Sequence, residues 1–200
     1  MPAGVEARLR AEGYRLIAGV DEVGRGSLAG PVVAAAVILP PACVIEGVDD
    51  SKRLSPGRRE QLDHVIRAQV VALGLGVIHE EVIDAVNILQ ATLLAMRRAI
   101  EALVPPPQFV LIDGDRSPGC STPHRLIPSG DRLCFSIAAA SIVAKVARDR
   151  IMQAYDRALP QYGFGRHKGY GTRDHLSAIA RFGCSPIHRK SFRGVREQCS

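Results

Sequence analysis

The chain has 200 residues, of which 46% are hydrophobic and 23% are charged, a composition typical of globular domains that excludes disordered, collagen-like and membrane-spanning chains. Its formal net charge is +6, and the segment 166–200 accounts for all of it, with eight Lys and Arg residues against two acidic ones. This concentration of basic residues favours a polyanionic partner, nucleic acid first, over the alternative of a solvated basic tail.

The predicted elements begin with two strands and then alternate between strands and helices. Strands are expected where Val, Ala, Ile and Leu are concentrated, at 16–21, 32–39, 70–78, 109–113 and 124–127. Helices are expected where apolar residues recur every three or four positions, from 56 onwards and at 87–104, 133–159 and about 173–182. This order indicates an α/β fold with a mixed central β-sheet flanked by helices and a C-terminal helical extension.

The cysteines and the N-terminus bear on the cellular compartment. The five cysteines are odd in number, widely spaced and without a C-x-x-C pair, so we expect neither a disulfide framework nor a structural zinc site. The first fifteen positions carry several charges and no apolar core of the kind a signal peptide needs, and prolines interrupt the longest apolar run, at 28–45. We therefore expect a cytoplasmic protein.

Carboxylates end two of the predicted strands. Asp21 and Glu22 come at the end of the first strand, and Asp113 ends the fourth. Carboxylates at adjacent strand ends repel one another unless a cation lies between them, and hard oxygen ligands select Mg²⁺ or Mn²⁺ over Zn²⁺. Asp131, in the loop before the long helix, is either a fourth member of this cluster or the N-cap of that helix. Four carboxylates around two divalent ions would match the two-metal mechanism of phosphodiester hydrolysis.

The adjacency of Asp21 and Glu22 limits how both can act. Successive side chains of a strand point to opposite faces, so two neighbouring carboxylates cannot meet one ion while the strand stays regular. Either the strand ends at Asp21 or Glu22 contributes its backbone carbonyl, and we expect the carbonyl for at least one ion.

The residues 24–29, Gly-Arg-Gly-Ser-Leu-Ala, also match the dinucleotide-binding fingerprint G-x-G-x-x-A. That fingerprint needs a helix directly afterwards, whereas Pro31 introduces a run of Val, Ala and Ile with the composition of a strand. Two carboxylates ahead of the glycines would also repel a pyrophosphate. An oxidoreductase that binds a dinucleotide is therefore a weak alternative.

Six short motifs occur in a characteristic order along nearly the whole chain. They are AGVDEVGRG at 18–26, DSK at 50–52, LIDG at 111–114, GD at 130–131, AASIVAK at 139–145 and HKGY at 167–170. In this order and at these separations they resemble bacterial ribonuclease HII, the type 2 ribonuclease H, from about residue 14 to residue 196. The resemblance implies a ribonuclease H-like fold and cleavage of RNA in RNA–DNA hybrids, including single ribonucleotides in duplex DNA, with Mg²⁺ or Mn²⁺.

We also expect a particular organisation and a particular product. We expect 1–165 to form the catalytic domain and 166–200 to be a basic segment packed on the same domain. Cleavage is expected on the 5′ side of the ribonucleotide, leaving a 3′-hydroxyl and a 5′-phosphate. We expect a monomer, and no clamp-binding peptide is visible after Val195.

The family's functional residues map onto matching positions of this chain. Its four acidic catalytic and metal-binding residues fall on Asp21, Glu22, Asp113 and Asp131, its glycine-arginine-glycine element on Gly24, Arg25 and Gly26, and its substrate-recognising tyrosine on Tyr170. Ser129 stands where relatives often have lysine, which puts the phosphate role of that lysine in doubt here. A catalytically silent hybrid-binding module is the alternative from another class, and the four intact acids argue against it.

Four further residues are expected to bind substrate. Lys52 is favoured as a phosphate contact over a solvated loop lysine, and Lys168 belongs to the basic His-Lys-Gly-Tyr loop. Ser141 and Lys145 are four residues apart and share one helix face, from which both would reach the site or the phosphate backbone. The run 148–150, Arg-Asp-Arg, is interpreted instead as a surface ion-pair run.

Overall fold

The computed structural model describes residues 4–41, 43–48 and 54–199. Helices flank a five-stranded sheet, as the sequence predicts. The strands are β1 Ile17–Val23, β2 Val32–Ile38, β3 Ala72–Ile78, β4 Phe109–Asp113 and β5 His124–Ile127. The helices are α1 Val5–Ala11, α2 Pro56–Gln69, α3 Glu80–Glu101, α4 Phe135–Ala158, α5 Phe164–His167 and α6 Arg173–Phe182, with short 3₁₀ turns at Gly130–Arg132 and Pro160–Tyr162.

The sheet is mixed and has the strand order β3-β2-β1-β4-β5. The central strand β1 is antiparallel to β2 and parallel to β4. The parallel register pairs Val20 with Ile112, which places the next residues, Asp21 and Asp113, side by side at the carboxyl ends of the two strands. The topology therefore brings together the acidic residues that the sequence separates by more than ninety positions.

Small residues allow the helices to lie close to the sheet. Helix α3 packs on one face, and α2 and α4 pack on the other. A Cβ atom at Gly74 or Gly76 would overlap backbone carbonyls of α3, and one at Gly19 would overlap the backbone of Ser136 at the start of α4. The close approach at Gly19 fixes the distance between α4 and the strand that carries Asp21.

Helix α3 begins seven residues before the predicted start at residue 87. The helix is kinked at Asn87, whose φ of 71° is not helical. The Asn87 side-chain oxygen accepts hydrogen bonds from the backbone N–H groups of Leu89 and Gln90, as an N-cap does. The apolar periodicity thus predicted the second part of the helix and missed the turns before the kink.

The basic C-terminal segment packs against the loop that joins β1 and β2. The Leu28 N–H donates to the Gly169 carbonyl at 2.8 Å, and the Gly30 N–H donates to the Ile187 carbonyl at 2.8 Å. Gly183 is the C-cap of helix α6. The loop after Asp21 is therefore held between the core of the sheet and the last part of the chain.

Two cysteines are paired, contrary to the expectation from their spacing. Cys184 and Cys199 form a disulfide, with Cα atoms 5.6 Å apart. The chain between them consists largely of turns that fold back on themselves, which the cysteine count does not reveal. Cys43, Cys120 and Cys134 are free thiols. Within the described ranges, each helix is too short or too polar to cross a lipid bilayer.

Candidate active site

Three carboxylates converge at the carboxyl ends of β1 and β4. One oxygen each of Asp21, Glu22 and Asp113 lies within 4.8 Å of the others. Asp21 is buried, and the other two side chains are partly exposed. Strand β1 continues through Val23, yet the long Glu22 side chain still reaches this cluster. Neighbouring carboxylates of this strand can therefore lie close together, and ligation of an ion by the Glu22 carbonyl stays a prediction.

The electrostatics of the cluster disfavour three negative charges. Burial raises the pKa of Asp21 well above its usual range, and the charges of Glu22 and Asp113 raise it further. Burial also raises the pKa of Glu22, although the Arg25 guanidinium, 3.4 Å from its carboxylate, opposes this increase. A bound divalent cation would relieve both effects, and oxygen-only ligands fit Mg²⁺ or Mn²⁺.

Hydrogen bonds orient the acidic side chains. The Glu22 N–H donates to Asp21 Oδ1 at 2.7 Å, and a hydrogen bond from Ser141 also lowers the pKa of Asp21. The Gly130 N–H donates to Asp113 Oδ1 at 2.6 Å. These donors stabilise the charged forms of the carboxylates, so they favour a state that is ready to bind a cation.

Asp131 lies next to the cluster but outside its innermost set. It is buried in the 3₁₀ turn that follows Ser129, one residue after the N–H that holds Asp113. The three oxygens within 4.8 Å of one another do not include one from Asp131. The N-cap of α4 is Cys134, so the alternative of Asp131 as the cap of that helix is wrong.

The loop of Gly24, Arg25 and Gly26 follows β1 directly. Gly24 has a φ of +92°, and a Cβ atom there would clash with the Arg148 side chain. A Cβ atom at Gly26 would meet no described atom within 4 Å. The fold therefore requires glycine at the first position but not at the second. Arg25 is exposed beside the acidic cluster.

Tyr170 lies beside this loop. It forms an isolated antiparallel bridge with Ser27, and its side chain is 37% exposed. The neighbouring Lys168 donates from Nζ to the Gly165 carbonyl at 2.6 Å. Among the substrate residues that the resemblance implies, the structure thus brings Tyr170 to the glycine loop, whereas the Lys168 ammonium is bound within its own turn.

The two residues on the shared face of α4 have different surroundings. Ser141 is buried and its side chain is hydrogen-bonded to Asp21. Lys145 Nζ instead forms an ion pair with Asp149 Oδ1 at 2.6 Å. Of these two residues, the structure therefore brings only Ser141 to the acidic cluster. Lys52 lies outside the described residues, so its expected phosphate contact stays a prediction.

Two buried histidines support the backbone of Tyr170. His175 Nδ1 is 3.0 Å from the Tyr170 carbonyl, and its Nε2 is 3.0 Å from His188 Nε2. Because the Ser185 N–H donates to His188 Nδ1, the His188 proton lies on Nε2 and is donated to His175. Burial lowers the pKa of both rings to about 4, so the pair is neutral at pH 7.

Sequence reasoning missed two arginines near the glycine loop. Arg148 and Arg189 are fully buried, so the interpretation of 148–150 as a surface run is wrong for Arg148. It is right for Arg150, which pairs with Glu60 at the surface. Arg148 lies on the apolar stripe of α4, four residues after Ala144 and four before Met152, and this spacing was the available signal.

The chain is similar to known ribonucleases over most of its length. The family model described as Ribonuclease HII matches residues 18–195. Ribonuclease HII of Geobacter sulfurreducens is 56% identical over 192 residues, which is 96% of this chain and 88% of that protein. Ribonuclease HII of Syntrophotalea carbinolica is 52% identical over 196 residues, 98% of this chain and 94% of that protein.

Solved structures confirm the predicted ribonuclease H-like fold. The crystal structure of ribonuclease H2 from Pyrococcus horikoshii matches with a TM-score of 0.74 and 26% identity, over 90% of this chain and 95% of that one. Bst-RNase HIII, solved in complex with Mn²⁺, matches with a TM-score of 0.77 over 99% of this chain and 73% of that one. Because the two sequences are only 20% identical, this match is evidence for the fold and for nothing further.

Proposed function

The chain belongs to the ribonuclease HII family and is therefore a metal-dependent endoribonuclease that acts on RNA–DNA hybrids, and on this premise we propose that it also incises duplex DNA on the 5′ side of a single embedded ribonucleotide. The products carry a 3′-hydroxyl and a 5′-phosphate. The observation that carries this proposal is the partly buried cluster of Asp21, Glu22 and Asp113, which lies beside a loop with open space at Gly26.

The acidic cluster holds the divalent cations. Asp21, Glu22 and Asp113 are the ligands, with Asp131 beside them, and their oxygen chemistry suits Mg²⁺ or Mn²⁺. Two such ions, when bound, supply an activated water and stabilise the charge on the leaving oxygen. The chain itself orients the carboxylates, through the N–H groups of Glu22 and Gly130.

The glycine loop identifies the ribonucleotide. A single ribonucleotide in DNA differs from its neighbours by one 2′-hydroxyl, which is readable only at hydrogen-bonding distance. The open space at Gly26 allows a sugar to approach the backbone, because no side chain is in the way. The exposed Arg25 binds the adjacent phosphate. Tyr170, across the bridge to Ser27, stacks on the neighbouring sugar and favours a deoxyribose there.

The C-terminal segment serves the same site. Its contacts with Leu28 and Gly30 support the view that 166–199 and the preceding residues form one domain. The site is complete within one copy of the chain, because each of the ligands Asp21, Glu22 and Asp113 comes from the same β-sheet. We infer that the active protein is a monomer.

Incubation of the purified protein with three duplexes tests the proposal. One carries a single ribonucleotide, one is an RNA–DNA hybrid and one is all DNA, each with and without Mg²⁺. We expect a single metal-dependent cut on the 5′ side of the ribonucleotide and no cut in the all-DNA duplex. Asp21→Asn, which keeps the shape of the side chain, is the control for contaminating nucleases. Cleavage of the hybrid alone would show that the enzyme does not act on single ribonucleotides.

A further inference from the structure

Arg148 and Arg189 are charged side chains that are completely shielded from solvent. In the described part of the chain, neither forms an ion pair with a carboxylate. Burial lowers the pKa of both arginines, that of Arg189 to about 9. The nearby positive charge of Arg148 adds to the decrease at Arg189. A buried cation is unfavourable unless hydrogen bonds satisfy it, so the acceptors of these two guanidinium groups indicate what they do.

The Arg189 acceptors are peptide carbonyls of the loop between β1 and β2. Nη1 donates to the Arg25 carbonyl at 2.9 Å, and Nη2 donates to the Gly24 carbonyl at 2.7 Å. Nε and Nη2 both donate to the Gly30 carbonyl, at 2.9 and 2.8 Å. One planar guanidinium therefore ties both ends of this loop to a single point.

Arg148 connects the same loop to the segment of Tyr170. Its Nε donates to the Pro31 carbonyl at 2.9 Å and its Nη2 donates to the Ala29 carbonyl at 3.2 Å. Nη1 donates to the Lys168 carbonyl at 2.9 Å, and the guanidinium lies 5.6 Å from the centre of the Tyr170 ring. The two loops that contact substrate in the proposed function thus share one buried cation.

These bonds determine where the loop N–H groups point. In a trans peptide the carbonyl and the following N–H point in opposite directions. The carbonyls of Gly24 and Arg25 face Arg189, so the N–H groups of Arg25 and Gly26 face away from it. Neither N–H has an acceptor among the residues that the structure describes, and Gly26 is exposed.

We propose that Arg189 and Arg148 are positioning residues for ribonucleotide recognition. Arg189 holds the loop carbonyls inside the protein and thereby directs the N–H groups of Arg25 and Gly26 towards the sugar and phosphate of the ribonucleotide. Arg148 fixes the position of Tyr170 relative to this loop. The inference rests on the proposed function, because it assigns these two residues to the recognition step of that reaction.

Lysine cannot replace arginine in this role. The guanidinium presents five donors in a planar fork, whereas an ammonium presents three donors at one point. The carbonyls of Gly24, Arg25 and Gly30 are spread around the fork of Arg189, so a lysine would keep the charge and lose most of these bonds. Arg189→Lys therefore separates positioning from charge.

The test compares Arg189→Lys and Arg189→Met with a control, Arg196→Met, which removes an exposed charge from the same segment. The kcat/KM for a duplex with one ribonucleotide is measured beside the Ki of a matched all-DNA duplex as competitor. We expect both Arg189 variants to lose about 100-fold in kcat/KM, the effect of a misplaced recognition group. The Ki of the all-DNA duplex should change no more than in the control, about twofold.

A second measurement covers the possibility that a variant folds poorly. Amide hydrogen exchange of the peptides over 24–31 and 166–172 should accelerate in Arg189→Lys, while exchange in β1 and α4 and the affinity for Mn²⁺ stay at wild-type values. Accelerated exchange throughout the protein would show a merely structural role.

Three other outcomes overturn the proposal. A wild-type kcat/KM in Arg189→Lys would show that charge alone suffices. Equal losses on the ribonucleotide duplex and the all-DNA duplex would show general attraction to DNA. A wild-type enzyme that does not cut the ribonucleotide duplex would refute the proposed function, and the inference with it.

Discussion

Asp21 has the least favourable environment of the acidic residues, since burial and two neighbouring charges raise its pKa. A carboxyl group whose pKa is higher in the folded than in the unfolded state stabilises the fold at low pH. This contribution to stability is lost as the pH rises through the folded-state pKa. At neutral pH the metal-free protein therefore carries an electrostatic penalty at this residue. Binding of a divalent cation removes that penalty, so the metal should stabilise the fold more at pH 8 than at pH 5.

We expect Asp21→Asn to separate stability from activity. The substitution removes the repelling charge and keeps the acceptor oxygen, so the metal-free variant should unfold at a Tm equal to or above that of the wild type. Cleavage should fall by orders of magnitude because a ligand charge is lost. Calorimetry in a chelating buffer and an incision assay with Mg²⁺ measure the two effects. Turnover close to that of the wild type would remove Asp21 from the catalytic set.

The two glycines of the loop should respond differently to the same change. Gly24→Ala places a Cβ against Arg148 at a φ of +92° and should destabilise the fold by about 1–3 kcal/mol. Gly26→Ala meets open space, so its Tm should stay at the wild-type value while kcat/KM on the ribonucleotide duplex falls. Denaturant unfolding and incision are measured for both variants, and each variant is the control for the other. Wild-type incision by Gly26→Ala would mean that no sugar approaches this backbone.

At the scale of single residues, the sequence predicted the acids and missed the basic groups that support them. Asp21 and Asp113 were predictable because each ends a run of buried strand residues. Arg189 was not, because it lies in a charged run, His-Arg-Lys, in a segment made of turns. Only the tertiary contact with the loop after β1 shows that its charge is buried.

Among the secondary-structure elements, the contact between β1 and α4 controls the position of the site. Gly19→Ala would drive a Cβ into the backbone of Ser136, and overpacking of this kind destabilises a core by about 1–3 kcal/mol. Gly57→Ala is the matched control, since its Cβ meets no described atom within 4 Å near the start of α2. Urea unfolding of both variants should show a loss for the first and no loss for the second. Equal stability would indicate that α4 shifts freely on the strand.

The histidine pair beneath Tyr170 makes stability depend on pH. The unfolded rings titrate near 6.5 and the folded ones at about 4, so the unfolded chain binds protons first as the pH falls. The free energy of unfolding should decline between these values, by up to about 3 kcal/mol for each ring. NMR titration of the imidazole signals checks this expectation. Protonation of His175 or His188 above pH 6 would contradict it.

The elements themselves were largely predictable from periodicity. The five strands and the long helix α4 were predicted within a few residues, because their apolar patterns match their burial. The first turns of α3 were missed because the kink at Asn87 changes the direction of the helix and with it the face that is buried. A period measured over one straight helix cannot predict such a change.

For the molecule as a whole, the excess positive charge is confined to the C-terminal segment. Its exposed basic residues include Arg173 and Arg181 on α6. We expect their joint replacement by Ala to weaken binding to ribonucleotide and all-DNA duplexes by the same factor. The slope of log K against log salt should fall by about 0.9 for each phosphate that the variant no longer neutralises. An unchanged slope would indicate that α6 does not touch the duplex.

The bonds from Arg189 to the loop after β1 also have a consequence for biosynthesis. The ribosome makes the chain from its N-terminus, so the residues of the acidic cluster emerge long before the arginine that fixes the loop beside them. A nascent chain can form the sheet, but the loop after β1 lacks the bonds from Arg189 until that residue has been made. The acidic cluster and the loop beside it are therefore completed at different stages of synthesis.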